Sequence, residues 1–341
     1  MIRFEAAAGL ECRVAQICSL SLLYQRLWGE VRIERRSQSQ ARPPLPSPLS
    51  ASPQCKRLTT EEPARMATLV STDWLAAHLN DRDLVVVDVR WEPNVPEAGI
   101  NAYCSGHIPG AVFLDLDMDL SDRTDLSRGR HPLPNPEQFA MTLARAGIGK
   151  HTSLIVYDDK AGSLAVRLWW MMRWLGGPEA ALLDGGFTKW ILEGRPVEVG
   201  RGRDRMPTMK PLQPNLNQTL VASIDDVETG AHGQLLLLDA RAPERYHGEV
   251  EPIDSRAGHI PGAVNAPWME NLSGEPDQTF RSPQELRTQF ESLGVDHQRD
   301  IVCYCGSGVT SCHDIFALEL AGFPGARLYP GSWSEWIVRH P

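Results

Sequence analysis

The sequence predicts an α/β fold built from two copies of one domain, each a mostly parallel sheet flanked by helices. Three observations carry this expectation. First, the chain repeats itself in order: "LVVVDVR" at 84–90 answers to "LLLLDAR" at 235–241, and "GHIPGAV" at 106–112 recurs unchanged at 258–264. Likewise "LARAGIGKHTSLIVYDD" at 143–159 answers to "FESLGVDHQRDIVCYCG" at 290–306, and "LDGGFTKWILEG" at 183–194 to "LYPGSWSEWIVRH" at 328–340. A period this long marks duplicated domains rather than a solenoid of short units. Second, "LVVV" and "LLLL" are continuously apolar, as strands covered on both faces are. Third, these strands alternate with helical patterns, which gives a parallel sheet.

Residues 1–65 stand apart. They contain "SQSQARPPLPSPLSASP" at 37–53, too rich in Pro and Ser to build a core, and read as disordered. The segment has the arginines of an organellar targeting peptide, but it also carries Glu5, Glu11, Glu30, Glu34, Glu61 and Glu62, which such peptides avoid. We read it as an upstream extension, with Met66 as an alternative start. The first domain then spans 66–200. Its helix over 134–148 opens on Pro and Asn, places Phe139, Leu143 and Ile148 near helical spacing, and closes at Gly147. Residues 201–218, polar and Pro-bearing, read as a linker. The second domain spans 219–341. Its helix over 282–295 begins with Ser282 and Glu285 at capping-box spacing and closes at Gly294.

Bulk properties exclude several functions. The net charge of -9 argues against a nucleic-acid footprint, and no apolar run approaches the length of a membrane span. Seven cysteines, an odd and scattered count, indicate free thiols in a reducing, cytoplasmic setting rather than a disulfide framework.

The most informative stretch is "CYCGSGVTSC" at 303–312. A strand ends at Cys305 and a helix begins near Ser311. Gly306 and Gly308 permit tight backbone angles between them, so amide groups converge at a helix N-terminus and stabilise an anion. Cys305 at the base of that cradle is expected to be a thiolate nucleophile, with Ser307 and Thr310 adding hydroxyl donors. Three other readings compete. Zinc on Cys303, Cys305, Cys312 and His313 lacks pair-and-pair spacing, and the first copy offers no complementary cysteines. A Cys303–Cys305 disulfide would distort a buried strand. A cysteine phosphatase needs an arginine six residues after its thiol, where this chain has Ser311. Cys303 reads as core packing and Cys312 as a helix-face residue. Aligning "IVYDD" with "IVCYC" sets Asp159 opposite Cys305, so the first copy is a degenerate partner without the Gly-Ser-Gly cradle, and the site is expected in the cleft between the copies. Asp88, Asp239, His107 and His259, shared by both copies, read as fold-maintaining.

The tandem "GHIPGAV", the "CGSGVT" loop and the closing "GSWSEW" together resemble the two-domain rhodanese-type sulfurtransferases, over nearly all of residues 66–341. The neutral loop is similar to that of the 3-mercaptopyruvate sulfurtransferases rather than to the basic Cys-Arg-Lys-Gly-Val-Thr of the thiosulfate enzymes. This resemblance implies transfer of sulfur from 3-mercaptopyruvate, through a Cys305 persulfide, to cyanide or to a thiol such as thioredoxin or a small thiol, with release of pyruvate and no metal or cofactor. It implies a donor site made of Arg245, Gly306, Gly308, Val309 and Thr310, and a relay of Ser307, His131 and Asp117. Asp115 and Asp119 are alternatives to Asp117, because the spacing to His131 differs by an insertion. A second family arginine follows a Glu-Pro pair; here Glu251-Pro252 is followed by Ile253, and Arg256 is the candidate replacement. Thiosulfate as donor and a non-enzymatic persulfide carrier stay open.

Overall fold

The computed structural model describes residues 68–202, 205–230, 235–274 and 276–341, so the expectations for residues 1–65 and Met66 fall outside it. The first copy runs β1 (Leu69–Val70), α1 (Thr72–His78), β2 (Leu84–Asp88), α2 (Ala98–Ser105), β3 (Val112–Phe113), α3 (Pro136–Arg145), β4 (Ser153–Tyr157), α4 (Ala165–Leu175), β5 (Ala180–Leu183) and α5 (Gly186–Leu192). The second runs α6 (Ile224–Gly230), β6 (Leu235–Asp239), α7 (Pro243–His247), β7 (Val264–Asn265), α8 (Pro283–Ser292), β8 (Asp300–Tyr304), α9 (Ser311–Leu320), β9 (Arg327–Leu328) and α10 (Ser332–Arg339).

Both sheets are parallel. The first has strand order β1-β5-β4-β2-β3 and the second β7-β6-β8-β9, with Val221 bridging Leu328 in the place of β1. Every residue of β2 is buried, which is why its sequence does not alternate. Helix α3 is capped by Asn135, whose side chain accepts from the Gln138 amide, and Phe139 and Leu143 face the core. Helix α8 carries the full Ser282–Glu285 capping box.

The shared motifs do the same structural work twice. Arg90 clamps Asp88 and donates to the Gly106 carbonyl at 2.7 Å; Arg241 clamps Asp239 and donates to the Gly258 carbonyl at 2.7 Å. His107 stacks on Tyr103 and His259 on Tyr246, both with ring centroids 3.9 Å apart. These groups tie a strand end to the turn that follows, as their presence in both copies implies. The linker is strapped to the first copy, with the Thr208, Asn215 and Asn217 amides donating to carbonyls of Ala144, Leu175 and Trp174.

One buried core runs through both copies. Trp169 of α4 meets Phe316 of α9 edge-on at 4.8 Å, and Arg173 pairs with Glu319 alongside. This seam places the C-terminal end of β8 against residues of the first copy, and a cleft of about 940 Å³ opens there.

Candidate active site

Cys305 follows β8 directly and is 2% exposed. Its amide donates to Ser332 Oγ, while its carbonyl and that of Gly306 accept from the amides of Trp333 and Ser334. The first turn of α10 thus holds the loop from behind. Gly308 has φ +75°, and a β-carbon there would stand 2.4 Å from the Pro330 carbonyl oxygen, so the turn admits only glycine.

The three cysteines of the motif part company electrostatically. Burial pushes the Cys305 thiol up, but hydrogen bonds from the Thr310 hydroxyl, the Ser307 amide, and the Ser311 hydroxyl and amide outweigh it, and its pKa lies below the ordinary thiol value. Burial pushes Cys312 up to about 12 and Cys303 well above its ordinary value. Of these three thiols, Cys305 alone has surroundings that favour its ionised form. All three are free thiols, and among the described residues no cluster of His, Cys, Asp or Glu side chains is placed to hold a metal ion.

The first copy contains the same loop in another state, and two details differ from the sequence reading. Strand bounds 153–157 and 300–304 match residue for residue, and the Tyr157 and Tyr304 hydroxyls accept from the equivalent Ile108 and Ile260 amides. Asp158, not Asp159, therefore occupies the place of Cys305. A cradle is also present there: the amides of Lys160, Gly162, Leu164 and Ala165 all donate to the Asp158 carboxylate at 2.7–2.8 Å. The degenerate copy has kept the anion-binding loop and filled it with its own anion.

Three residues far apart in sequence meet above the cradle. His131 Nδ1 lies 2.8 Å from Ser307 Oγ, and Nε2 lies 3.1 Å from Asp117 Oδ1. The Asp117 contact places a proton on Nε2, which leaves Nδ1 to accept from the Ser307 hydroxyl. Burial lowers the His131 pKa against the pull of Asp117, with Arg167 and Arg130 adding to the drop, so the imidazole is neutral at neutral pH. Burial raises the Asp117 carboxyl, but bonds from His131 and from Trp91 Nε1 bring it below the usual value. The alternatives are occupied elsewhere: Asp115 accepts from the Asp117 and Met118 amides, and Asp119 from the Asp115 amide.

Arg245, Gly306, Val309 and Thr310 line the cleft beside Cys305 and Ser307. Arg245 is held by Glu251 and Asp254, with Nη2 at 2.7 Å and 3.0 Å. Arg256 does not reach the cleft. Its guanidinium donates to the His340 carbonyl and lies over the Trp333 ring at 5.5 Å, while its own carbonyl accepts from Trp333 Nε1, so Arg256 is tied to α10. Two arginines escaped the sequence reading. Arg130, in the residue before His131, lines the cleft and pairs with Asp254. Arg167, fully buried on α4, donates to the carbonyls of Gly308 (2.8 Å) and His131 (3.0 Å), locking loop to relay. A lone charge in the apolar run "AVRLWWMM" was its available signal.

A cysteine loop with a lowered thiol pKa, paired with a copy whose equivalent loop is closed by a carboxylate, defines a tandem α/β module with one thiol-bearing cradle among the described residues. The chain belongs to the rhodanese-like domain family, which matches residues 71–193 and 223–338. It is 44% identical over 275 residues to the probable 3-mercaptopyruvate sulfurtransferase of Pseudomonas aeruginosa, covering 80% of this chain and 95% of that protein. It is 39% identical over 274 residues to the putative thiosulfate sulfurtransferase SseB of Mycobacterium tuberculosis, covering 80% of this chain and 95% of that protein. The crystal structure of SseA from Escherichia coli, one of the 3-mercaptopyruvate sulfotransferases, matches with a TM-score of 0.69 at 33% identity, covering 79% of this chain and 99% of that one.

Proposed function

We propose that this protein is a 3-mercaptopyruvate sulfurtransferase working by a ping-pong mechanism on Cys305. The Cys305 thiolate attacks the donor sulfur. A sulfur–sulfur bond forms, the carbon–sulfur bond breaks, and its electron pair enters the enolate of pyruvate. The donor's thiol proton passes through Ser307 to His131 Nδ1 and returns to the enolate carbon, so pyruvate leaves and a persulfide anion stays in the cradle. Asp117 stabilises the transient imidazolium. Arg245 holds the donor carboxylate, and the backbone of Gly306, Gly308, Val309 and Thr310 shapes the anion pocket. An acceptor thiol, of thioredoxin or a small molecule, or cyanide then takes the outer sulfur and restores Cys305.

The observation that carries this reading is the 2.8 Å contact between Ser307 and His131 beside the low-pKa thiol. Thiosulfate releases sulfite and has no enolate to protonate, so a proton relay at the loop suits the mercaptoketone donor. The neutral side of the loop agrees, since Gly306 and Ser307 bring no cation for a dianion. Thiosulfate is the second reading, favoured by the likeness to the mycobacterial protein.

The test is donor-dependent pyruvate release by the purified protein, with mass spectrometry of the Cys305 peptide. We expect one added sulfur on Cys305 in the wild type, and no turnover by Cys305→Ser. Sulfur appearing only on Cys303 or Cys312, or no pyruvate release, would defeat the proposal.

A further inference from the structure

We propose that Arg167, carried by the copy without the nucleophile, is the fixed counter-charge of the sulfur anion on Cys305. This rests on Cys305 being the sulfur-carrying thiol and is independent of which donor it meets.

Arg90, Arg167 and Arg241 are the buried arginines among the described residues, and two of them grip an aspartate: Arg90 holds Asp88 and Arg241 holds Asp239. No carboxylate among the described residues pairs with Arg167. Its Nη1 and Nη2 go to the Gly308 and His131 carbonyls, and Nε has no partner. A guanidinium keeps its proton, so a full positive charge is enclosed in the core, and a buried charge without an opposite one is strongly destabilising.

Elimination finds the anion that answers it. Burial pushes the Asp314 carboxyl and the Cys303 thiol well above their ordinary values and Cys312 up to about 12, so all three are held towards their uncharged forms. In the cleft, Glu251 and Asp254 are matched by Arg245 and Arg130, and Asp117 by Arg123 beside the neutral His131. Cys305 is left. Its surroundings favour the thiolate, and Arg167 bonds the carbonyl of Gly308 in the same loop. Burial lowers the Arg167 pKa, and the sulfurs of Cys312 and Cys305 oppose the fall.

The contacts across the seam are lopsided in the direction this requires. Each loop has a residue in left-handed backbone conformation, Ala161 at φ +56° and Gly308 at φ +75°, and each gives its carbonyl to a side chain from the other copy's helix. Ala161 accepts from His313 Nε2 at 3.2 Å, and Gly308 from Arg167 Nη1 at 2.8 Å. Burial lowers the His313 pKa to about 3, so the loop closed by Asp158 receives a neutral imidazole. The cysteine loop receives a permanent cation. A carboxyl ionises unaided at neutral pH, whereas a thiol with an ordinary pKa of about 8.5 does not.

The test follows the pH dependence of Cys305 alkylation by iodoacetamide, an uncharged probe, with the site identified by mass spectrometry, in Arg167→Gln and Arg167→Lys. Glutamine keeps an N–H for one carbonyl and loses the charge; lysine keeps the charge and loses the fork. Arg167→Gln should move the midpoint upward and slow alkylation at neutral pH by roughly tenfold or more, the effect of removing one nearby opposite charge. Arg167→Lys should stay closer to wild type, even where it lowers Tm as much. An unmoved midpoint in Arg167→Gln overturns the inference. So does an equal upward shift in both variants, which would mark Arg167 as a support of loop shape, or a shift that vanishes when Cys312→Ala is added, which would assign the charge to Cys312. A double-mutant cycle on Tm provides an independent reading. Cys305→Ser removes the anion and leaves the guanidinium unmatched, so Arg167→Gln should lower Tm less, or fold better, in that background than in wild type. Additive losses, or misfolding in both backgrounds alike, overturn the inference. Alkylation needs no donor, so a Cys305 that gains no sulfur from 3-mercaptopyruvate defeats the proposed function and is read separately.

Discussion

Donor choice is set by charge beside the loop, and Asp254→Asn tests it with one nearly isosteric change. Three arginines there are matched by carboxylates, Arg241 by Asp239, Arg245 by Glu251 and Arg130 by Asp254, while the buried Arg167 is spent on the Gly308 and His131 carbonyls. The loop itself adds no side-chain charge. Thiosulfate therefore brings a dianion to a thiolate whose loop offers no cationic side chain of its own. One extra like charge at about 4 Å costs about 4 kcal/mol at an effective dielectric of 20, well above the ~1.4 kcal/mol that makes a tenfold rate difference. The unmodified protein should prefer 3-mercaptopyruvate by more than about tenfold in kcat/KM. Asp254→Asn leaves one unmatched cation over Gly306. At roughly 6 Å that charge attracts each donor charge by about 3 kcal/mol, reduced to about 1–2 kcal/mol by water in the open cleft. Thiosulfate gains twice what 3-mercaptopyruvate gains, so the preference should narrow by roughly tenfold. The assay is steady-state kinetics with cyanide as common acceptor, following pyruvate for one donor and thiocyanate for both. Arginine at position 306 is a poorer probe, because its β-carbon would meet Arg130. Equal or better use of thiosulfate by the wild type, or a ratio unmoved by Asp254→Asn, would refute the electrostatic argument.

Two further predictions concern the loop. The rate of Cys305 alkylation by iodoacetamide should rise with pH to a midpoint below the ordinary thiol value, since the thiolate is the form favoured by the cradle. Thr310→Val removes a hydroxyl donor to that thiolate and should move the midpoint upward; no movement would mean that Thr310 does not act on the sulfur. Gly308→Ala puts a side chain at φ +75° against the Pro330 carbonyl and should cost about 2 kcal/mol or more, lowering Tm by roughly 4–8 °C along with activity. A variant as stable as wild type would show that the turn relaxes at no cost.

The repeat made the fold legible, because each repeated string marks the same structural joint twice: Asp88 and Asp239 at strand ends, and the "GHIPGAV" pair running into β3 and β7. Cys305 was legible for a local reason, a strand end followed by two glycines. The relay was named through family likeness alone. Ser307 and His131 are 176 residues apart, and no spacing rule announces a contact that only the seam between α4 and α9 creates. Arg130 was illegible for the same reason, since its partners Asp254 and Ser334 lie in the other copy, whereas Arg167 was marked only as a lone charge in an apolar run. The slip from Asp158 to Asp159 has a different origin. Pairing the cysteine-rich strand by letters overlooked the tyrosine whose hydroxyl caps the "GHIPG" turn, and that tyrosine sets the register.

Asp158 also explains why a buried thiol can be an anion here. A loop that points several amides inward must satisfy them, because unpaired buried N–H groups each cost about 1–3 kcal/mol. The first copy satisfies them with the Asp158 side chain, whose two oxygens take four amide bonds. The second places a cysteine at the same position, so the same demand falls on sulfur: its amides and hydroxyls favour the thiolate over the thiol despite full burial. Duplication thus separated two uses of one anion site. Where the carboxylate closes the loop, the domain serves as scaffold, and its His131 and Arg130 reach the second copy through Ser307 and Asp254. Where the position holds a sulfur, the cradle favours its thiolate, and in the mechanism proposed above it would stabilise the persulfide that follows.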